Sequence, residues 1–170
     1  MRLPKRIGGD CKMVAINKLE VDNVESIIEW NKERDAAFLE QWAGRGYCYP
    51  LTKRQILDRQ KEGAEIYEAV LDGKMIGTIE IVSRDNQEKS AHIGRFVLDP
   101  SLQGKGLGTN VLQALLDYCK KEYGMVKVTL SVFDFNVAAY RCYQKCGFIE
   151  RERFERPNGW TVINMEKEIQ

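Results

Sequence analysis

A glycine-rich junction between a strand and a helix restricts the architecture of this chain more than any other segment. It lies within residues 98–121, LDPSLQGKGLGTNVLQALLDYCKK, where Gly104, Gly106 and Gly108 alternate with other residues before an amphipathic helical pattern. Backbone N–H groups at a helix start are unpaired and partly positive, so glycines there let an anion approach. Lys105 adds a cation. The junction alone therefore indicates either a phosphate site or a tight turn that needs small residues.

Two common phosphate-binding motifs do not fit this loop. A P-loop places Ser or Thr after its Gly-Lys pair, whereas Lys105 is followed by Gly106. The dinucleotide fingerprint needs a wider spacing between its second and third glycines than Gly106 and Gly108 have. The loop is therefore neither of these sites.

Periodicity and turn residues predict alternating strands and helices. Asp72 and Gly73 separate two apolar strands and suit a type I′ hairpin, and Thr52 precedes a helical pattern as its N-cap. We expect one α+β domain over residues 1–170, with a mixed sheet that ends in a strand–helix–strand crossover. The predicted elements are strands at residues 14–16, 66–71, 74–82, 90–98, 126–132, 148–154 and 160–165, helices at residues 21–30, 52–62, 107–123 and 136–146, and an aromatic-rich connection at residues 38–49.

Composition argues against several classes of protein. The formal net charge is only +1, so we expect no nucleic-acid or anionic-membrane partner. No apolar run approaches the ~18 residues of a membrane span, and residues 1–12 lack the apolar core of a secretory signal, which predicts a loose tail. The five cysteines have no disulfide-framework spacing, which indicates reduced thiols and a cytoplasmic location. The one histidine, His92, makes a metal site unexpected.

A second motif, NVAAYRCYQKCGF, follows at residues 136–148. The glycine loop fits the pattern Gln/Arg-x-x-Gly-x-Gly/Ala, from Gln103 to Gly108, after a strand that ends in Asp-Pro. In combination the two motifs closely resemble the GCN5-related N-acetyltransferase (GNAT) superfamily, over residues 65–165 and in the family's order of elements. The second half is most similar to the ribosomal-protein alanine and spermidine acetyltransferase branch.

The resemblance implies an acyl-CoA N-acyltransferase fold, with a mixed, mostly antiparallel, twisted sheet of about six to seven strands and about four flanking helices. It implies an N-acetyltransferase that moves the acetyl group of acetyl-CoA to a primary amine by direct attack in a ternary complex. Residues 65–166 would form the cofactor-binding and catalytic core. The acceptor would be a small-molecule amine or a protein or peptide N-terminus, and a homodimer stays open. The alternative is a catalytically idle CoA-binding or sensor module of the same fold.

The resemblance also implies roles for individual residues. Tyr143 occupies the position of the family's general-acid tyrosine. Asn136 would contact the pantetheine arm or a nearby water, although a simple N-cap role is the alternative. Amides of residues 103–109 would wrap the pyrophosphate, and residues 96–98 would bond to the pantetheine as an added strand. The predicted acetyl-CoA-binding residues are Phe96, Val97, Leu98, Gln103, Gly104, Lys105, Gly106, Leu107, Gly108, Thr109 and Asn136.

Amine acetylation needs a proton acceptor, because only the free amine attacks a thioester. An alkylamine with a pKa of about 10.4 is almost wholly protonated at pH 7. Relatives often carry an acid where His92 stands, so its imidazole, with an ordinary pKa of about 6.5, is one candidate base. Glu80, on the preceding predicted strand, is the other candidate.

The acceptor pocket is expected from residues 34–51 and from the last hairpin around Trp160. Aromatic side chains there can wall a cleft, and acids near them can attract an ammonium group. In the alternative interpretation the aromatics seal the core and the acids form a solvated face. The residues concerned are Phe38, Trp42, Tyr47 and Tyr49, together with Glu33, Asp35 and Glu40.

Overall fold

The computed structural model describes residues 13–170, so the tail predicted at residues 1–12 lies outside the described residues. Residues 13–170 form seven strands and five α-helices. The strands are β1 (Ala15–Lys18), β2 (Glu65–Leu71), β3 (Lys74–Asp85), β4 (Ser90–Leu98), β5 (Lys127–Phe133), β6 (Ile149–Glu155) and β7 (Thr161–Glu168). The helices are α1 (Val24–Asn31), α2 (Ala36–Ala43), α3 (Lys53–Lys61), α4 (Leu107–Tyr123) and α5 (Val137–Lys145).

The strands join one sheet in the order β1-β2-β3-β4-β5-β7-β6. Neighbouring strands are antiparallel except β4 and β5, which run parallel because α4 crosses over between them. The predicted α+β class and the mixed, mostly antiparallel sheet are therefore confirmed, with one α-helix more than expected in the described residues.

The parallel pair of β4 and β5 separates part-way along its length. Residues 90–93 pair with residues 127–130, and no further pairing joins the two strands within the described chain. Beyond that point β4 continues beside β3 alone. A register shift between Thr78 and Glu80 marks a β-bulge there, and Arg95 on β4 has a φ of +48°. The separation leaves a gap between residues 94–98 and residues 131–133.

Two apolar cores cover the opposite faces of the sheet. The larger lies under α4 and α5 and includes Val111, Leu115 and Leu130. The smaller lies under α1 and α3 and includes Ile27 and Ile56. Successive strand residues point to opposite faces, so each strand contributes to both. The apolar stripe of α4 thus fixes this helix on the sheet, and its first turn follows directly on the open end of β4.

The region between α1 and α3 differs from the prediction. The sequence predicts an aromatic-rich connection at residues 38–49, but α2 occupies Ala36–Ala43 and a 3-10 turn follows at Gly44–Gly46. Asp35 explains the helix, because its side chain accepts a hydrogen bond from the Phe38 amide at 2.8 Å, as an N-cap does. The preceding helix is shorter than predicted, since residues 21–23 form a 3-10 turn before α1.

Local signals elsewhere are confirmed. Thr52 caps α3 by accepting a hydrogen bond from the Gln55 amide at 3.3 Å. Asp72 and Gly73 have φ values of +51° and +77°, as a type I′ turn requires. Among residues 13–170, no helix is long and apolar enough to cross a lipid bilayer. The same residues contain no group of three or more His, Cys, Asp or Glu side chains able to hold a metal ion.

Candidate active site

The glycine loop forms an open cradle at the start of α4. Gly104 and Gly106 have left-handed φ values of +77° and +74°, which residues with a Cβ rarely adopt. A Cβ built on either glycine would meet no atom within 4 Å, so the space beside their backbone is open. Gly106 is the N-cap of α4, and no side chain caps the first-turn amides. This helix start can therefore receive an anion through backbone N–H groups.

The unpaired part of β4 leads from the gap to this cradle. Val97 pairs with Thr78 on β3, while its other edge has no strand beside it in the part of the chain that the structure describes. Gly77 lets β3 and β4 approach closely, since a Cβ there would lie 3.1 Å from the Val97 carbonyl oxygen. A free strand edge offers N–H and C=O groups to an extended ligand. The geometry is thus suited to the predicted role of residues 96–98.

Helix α5 packs against the first turn of α4. The Cys142 Sγ atom lies 3.7 Å from Thr109 Oγ1. Asn136 caps α5, because its side chain accepts a hydrogen bond from the Ala139 amide at 3.3 Å. The N-cap alternative for Asn136 is therefore confirmed, and its contact with a cofactor stays a prediction.

Tyr143 is buried on α5, with 8% of its surface exposed and its ring edge-to-face with Phe148. Its hydroxyl forms no hydrogen bond within residues 13–170. No fully buried side-chain oxygen of that range lacks a partner, so this oxygen reaches solvent. Burial raises the pKa of Tyr143 well above its ordinary value of about 10, so the hydroxyl is protonated at pH 7 and can donate a hydrogen bond. Tyr140 differs, since its hydroxyl donates to Glu150 Oε2 at 3.0 Å.

His92 lies where β4 and β5 begin to separate. It is opposite Thr129 in the parallel register, and its Nδ1 atom lies 2.8 Å from Thr129 Oγ1. Burial lowers the pKa of His92 below 6.5, and the positive charge of Arg95 lowers it further. The ring is therefore neutral at pH 7 and can accept a proton. Its side chain also borders the cleft that opens at the gap.

Glu80, the other candidate base, is held by two arginines. Its carboxylate is 3% exposed and accepts hydrogen bonds from Arg59 and Arg95, the latter from Nη1 at 3.0 Å. Both carboxylate oxygens are already occupied, which makes Glu80 less suited than His92 to take a proton from an amine. Arg95 also donates from Nε to the Ala43 carbonyl at 3.0 Å. Glu80 thus joins the bulge on β4 to α3 and to the end of α2, and its catalytic role stays a prediction.

A cleft of about 300 Å³ opens at the gap between β4 and β5. Helix α2 contributes Glu40 and Trp42 to its wall, β5 contributes Phe133, and β6 contributes Phe154. Arg156 follows β6 and completes this side, with its Nη1 atom 3.6 Å from the Glu40 carboxylate. The cleft therefore joins side chains that are far apart in the sequence.

The family model described as the Acetyltransferase (GNAT) family matches residues 22–148, which is most of the chain. The chain belongs to this family. The superfamily resemblance of the two motifs is confirmed. The match also begins well before residue 65, so it includes the N-terminal helices that the motifs alone do not reach.

Curated GNAT relatives match part of this chain. Spermine/spermidine N(1)-acetyltransferase of Bacillus subtilis (strain 168) is 37% identical over 83 residues, which are 48% of this chain and 55% of that protein. Spermidine N(1)-acetyltransferase of Escherichia coli (strain K12) is 29% identical over 130 residues, which are 76% of this chain and 64% of that protein. The chain thus spans between 55% and 64% of the length of these relatives.

Solved structures share the fold at low sequence identity. Spermidine N-acetyltransferase from Vibrio cholerae, in complex with CoA and spermine, has a TM-score of 0.76 at 18% identity, covering 92% of this chain and 95% of that one. An acetyl transferase from Salmonella typhimurium that modifies the N-terminal serine of ribosomal protein L7/L12 has a TM-score of 0.75 at 18% identity, covering 93% and 96%. The predicted acyl-CoA N-acyltransferase fold is therefore confirmed.

Within this GNAT family member, the residues predicted for the acceptor side divide into two groups. Glu40 and Trp42 line the cleft. The others lie elsewhere, with Asp35 acting as the α2 cap and the Tyr47 hydroxyl accepting a hydrogen bond from Arg59 at 3.1 Å. The remaining placements are Phe38 against the smaller core, Glu33 and Tyr49 exposed, and Trp160 edge-to-face with Phe133.

Sequence reasoning missed Arg95, Phe133 and Arg156 as residues of the cleft. No local sequence pattern predicts that Arg95 lines the cleft, because the β-bulge that contains it depends on how β3 and β4 pair. Arg156 has a usable signal, since it adjoins the Pro-Asn-Gly turn of the predicted last hairpin. Phe133 ends a buried strand that the sequence predicts, but its place at the cleft depends on the separation of that strand from β4.

Proposed function

We propose that this protein is an acetyl-CoA-dependent N-acetyltransferase that moves the acetyl group to a primary amine. The observation that carries the proposal is a continuous path. The open cradle at Gly104 and Gly106 adjoins the free edge of β4, and that edge runs back to the gap where His92 borders a cleft. A ligand with a pyrophosphate in one part and an extended, amide-containing arm that ends in a thioester fits this path. Acetyl-CoA has both parts.

The backbone would hold most of the acetyl-CoA. Amides of residues 103–109 would bind the pyrophosphate, with Lys105 adding a positive charge, and residues 96–98 would pair with the pantetheine arm. The glycine conformations support this assignment, because a side chain at Gly104 or Gly106 would occupy the open space beside the amides. Thr109 and Asn136 would border the same path from α4 and α5.

The proposed reaction is direct transfer in a ternary complex. The free amine nitrogen attacks the thioester carbonyl carbon, the carbon–sulfur bond breaks, and the sulfur leaves with the bonding electrons. The amine nitrogen loses one proton and the CoA sulfur finally gains one. No covalent intermediate with the protein is needed.

His92 would accept the amine proton, directly or through a water molecule. Its lowered pKa keeps the imidazole neutral at pH 7. In the tautomer that carries its hydrogen on Nδ1 and donates it to Thr129 Oγ1, which this role requires, Nε2 is the acceptor. Glu80 remains the second candidate, although both its oxygens are already bound by arginines.

Tyr143 would donate a hydrogen bond to the leaving sulfur. Its pKa is raised above 10, whereas an ordinary thiol has a pKa of about 8.5, so complete proton transfer to the thiolate is unfavourable. A hydrogen bond stabilises the developing charge without that transfer. We therefore assign Tyr143 the role of a hydrogen-bond donor to the sulfur, and its role as a general acid stays a prediction.

The named relatives support an amine acceptor, because their names specify spermine, spermidine or a protein N-terminus. A small-molecule amine and a peptide N-terminus are therefore both carried forward. The idle CoA-binding module is the second candidate function, since backbone-mediated cofactor binding does not itself require catalysis.

The test combines acetyl-CoA binding, measured by calorimetry, with CoA thiol release in the presence of an amine panel. The panel contains spermidine, simple alkylamines, amino acids and short peptides with free N-termini. We expect saturable binding and amine-dependent thiol release, with one acetyl group added to the acceptor by mass spectrometry. Binding without release for every amine would support the idle module, and absence of binding would refute both.

A further inference from the structure

Arg156 is a largely buried arginine whose guanidinium donates no hydrogen bond to any residue between 13 and 170. Its side chain is 16% exposed, and its Nη1 atom lies 3.6 Å from the Glu40 carboxylate, beyond hydrogen-bond distance. The guanidinium carbon lies 5.4 Å from the centre of the Phe133 ring. No fully buried side-chain nitrogen of the described residues lacks a partner, so these donors reach solvent, and Arg156 is one of the residues that line the cleft. Packing therefore positions the guanidinium and leaves its donors unused.

The other two arginines near the cleft are already satisfied. Arg59 and Arg95 both donate to Glu80, and Arg95 also donates to the Ala43 carbonyl. Arginine offers five N–H donors in a planar fork, and a partly buried guanidinium usually binds an acceptor. Arg156 therefore differs from its neighbours in having capacity for an anionic ligand.

Charges around the cleft point in the same direction. The charged side chains of its lining are Glu40, Arg95 and Arg156. Glu80 lies behind this wall and is shared between Arg95 and Arg59. Two carboxylates therefore face three guanidinium groups in this region. Such a balance favours an anionic group in the ligand and disfavours a polycation.

We propose that the acceptor is an amine that also carries a carboxylate, and that Arg156 binds this carboxylate. The inference rests on the proposed N-acetyltransferase function and specifies its substrate class. The guanidinium fork matches the two oxygens of a carboxylate, and limited exposure strengthens such a pair. Trp42, Phe133 and Phe154 add apolar surface to the wall, which suits an aromatic or aliphatic body on the acceptor.

Glu40 limits the attraction that Arg156 exerts. Its side chain is 37% exposed, and its one contact with Arg156 is long, so an incoming carboxylate can displace it at little cost. Removing the charge of Glu40 should therefore strengthen the binding of carboxylate acceptors. A polycationic acceptor requires the opposite, because Glu40 would attract it and Arg156 would repel it.

Matched acceptors separate these two substrate classes. Phenylalanine, phenylalaninamide and phenethylamine share one body and differ in having a carboxylate, a neutral amide or neither group. Leucine with leucinamide, and 4-aminobutyrate with butylamine, repeat the comparison for other shapes, and spermidine represents polycations. For each acceptor, kcat/KM of a variant is divided by that of the unmodified protein, so that differences in amine pKa cancel.

We expect Arg156→Gln to lower kcat/KM for the preferred carboxylate acceptor about 10- to 100-fold, mainly through KM. Its carboxylate-free analogue should change by less than about twofold, since it makes no ionic contact with Arg156. Arg156→Lys should recover part of the loss, because lysine keeps the charge without the planar fork. Glu40→Gln should lower KM for the carboxylate acceptor alone. Arg153→Gln, at a 51% exposed side chain on β6, is the matched control and should change none of these ratios.

A second measurement does not depend on turnover. 3-Phenylpropanoate has a carboxylate and no amine, and we expect it to bind the CoA-loaded protein and to bind Arg156→Gln at least ~10-fold more weakly. Circular dichroism checks that each variant is folded. Equal losses for carboxylate and amide acceptors, or a higher kcat/KM of the unmodified protein for spermidine than for every carboxylate acceptor, would overturn the proposal. Absence of thiol release with every amine would instead refute the N-acetyltransferase function.

Discussion

The two sides of the gap between β4 and β5 are built in different ways. On the proposed cofactor side, the binding groups are backbone amides around Gly104 and Gly106 and the free edge of β4. On the proposed acceptor side, the wall consists of side chains from separate segments, including Glu40, Phe133 and Arg156. A backbone site needs one contiguous stretch with small residues at set positions. A side-chain site needs particular residues from several elements, so single substitutions can change its ligand.

Replacing Tyr143 should cause the largest loss of activity. This substitution tests the chemical step alone, without changing either the cofactor side or the acceptor side. Tyr143→Phe removes a hydroxyl that bonds to no described residue, so the fold should be unaffected. We expect kcat to fall ~10²–10³-fold, the usual cost of losing a donor to a developing negative charge, with acetyl-CoA affinity unchanged. Tyr140→Phe removes the other α5 phenol, whose hydroxyl donates to Glu150, and it should leave kcat unchanged as the control. A parallel fall in acetyl-CoA affinity would place Tyr143 in the cofactor site.

The contrast between the two sides also explains how much could be predicted from the sequence. The glycine loop, the bounds of α4 and the Asp72–Gly73 turn depend on neighbouring residues, and all three follow from local rules. The separation of β4 from β5 depends on strand pairing, so it has no local signal. The wall around Arg156 depends on that separation in turn. Even for Asp35, a local cap, the sequence predicts either an acid near the substrate or a solvated acid, because its helix is not predicted.

The second largest effect should be a loss of acetyl-CoA affinity when the glycine loop of the proposed cofactor side is changed. In Gly106→Val, a branched side chain would enter the open space beside the amides and force a left-handed φ on valine. We expect acetyl-CoA to bind about 100-fold more weakly, as the loss of two charge-assisted hydrogen bonds would give. Calorimetry measures this directly.

Gly124→Val is the control for backbone strain. Gly124 ends the same helix with a φ of +64° and also has no atom within 4 Å of a built Cβ. It should lower stability by a similar amount and leave acetyl-CoA affinity unchanged. If both variants bind acetyl-CoA equally well, the cradle is not the cofactor site and the contrast between the two sides fails.

A smaller loss of turnover is expected from replacing His92, which lies where the proposed cofactor and acceptor sides meet. His92→Ala should lower turnover about tenfold at pH 7, less than for most general bases, because water can replace the imidazole. Because the amine itself is protonated as the pH falls, kcat/KM is first divided by the fraction of free amine. The pKa of His92 is lowered by burial and by Arg95, so the corrected kcat/KM of the unmodified protein should fall to half only at a pH below the ordinary imidazole range. This fall should be absent from the corrected profile of the variant, whereas the fall caused by amine protonation should remain. An unchanged profile would remove His92 from the mechanism and return attention to Glu80.

The smallest effect on activity should come from substituting Cys142. Chemical modification of the same residue tests whether a neighbouring side chain can block the proposed cofactor side. Its Sγ atom lies 3.7 Å from Thr109 Oγ1, and a Cβ on Gly108 would lie 3.4 Å from it. Cys142→Ser keeps a hydrogen-bonding atom there, so turnover should change by less than about twofold. An alkyl group on the sulfur would instead press on the first turn of α4.

Alkylation can be followed through the thiolate. The neighbouring Cys146 thiol lowers the pKa of Cys142, whereas burial raises the pKa of Cys119 to about 12. With Cys11 and Cys48 changed to Ser, iodoacetamide should therefore react mainly at Cys142, and at a lower pH than an ordinary cysteine thiol requires. Acetyl-CoA should slow the reaction, and the alkylated protein should bind acetyl-CoA more weakly. Peptide mapping identifies the site. If acetyl-CoA does not slow the alkylation of Cys142, this residue does not contact the bound cofactor. The proposed cofactor side, which binds through backbone groups, would then be insensitive to the side chains around it.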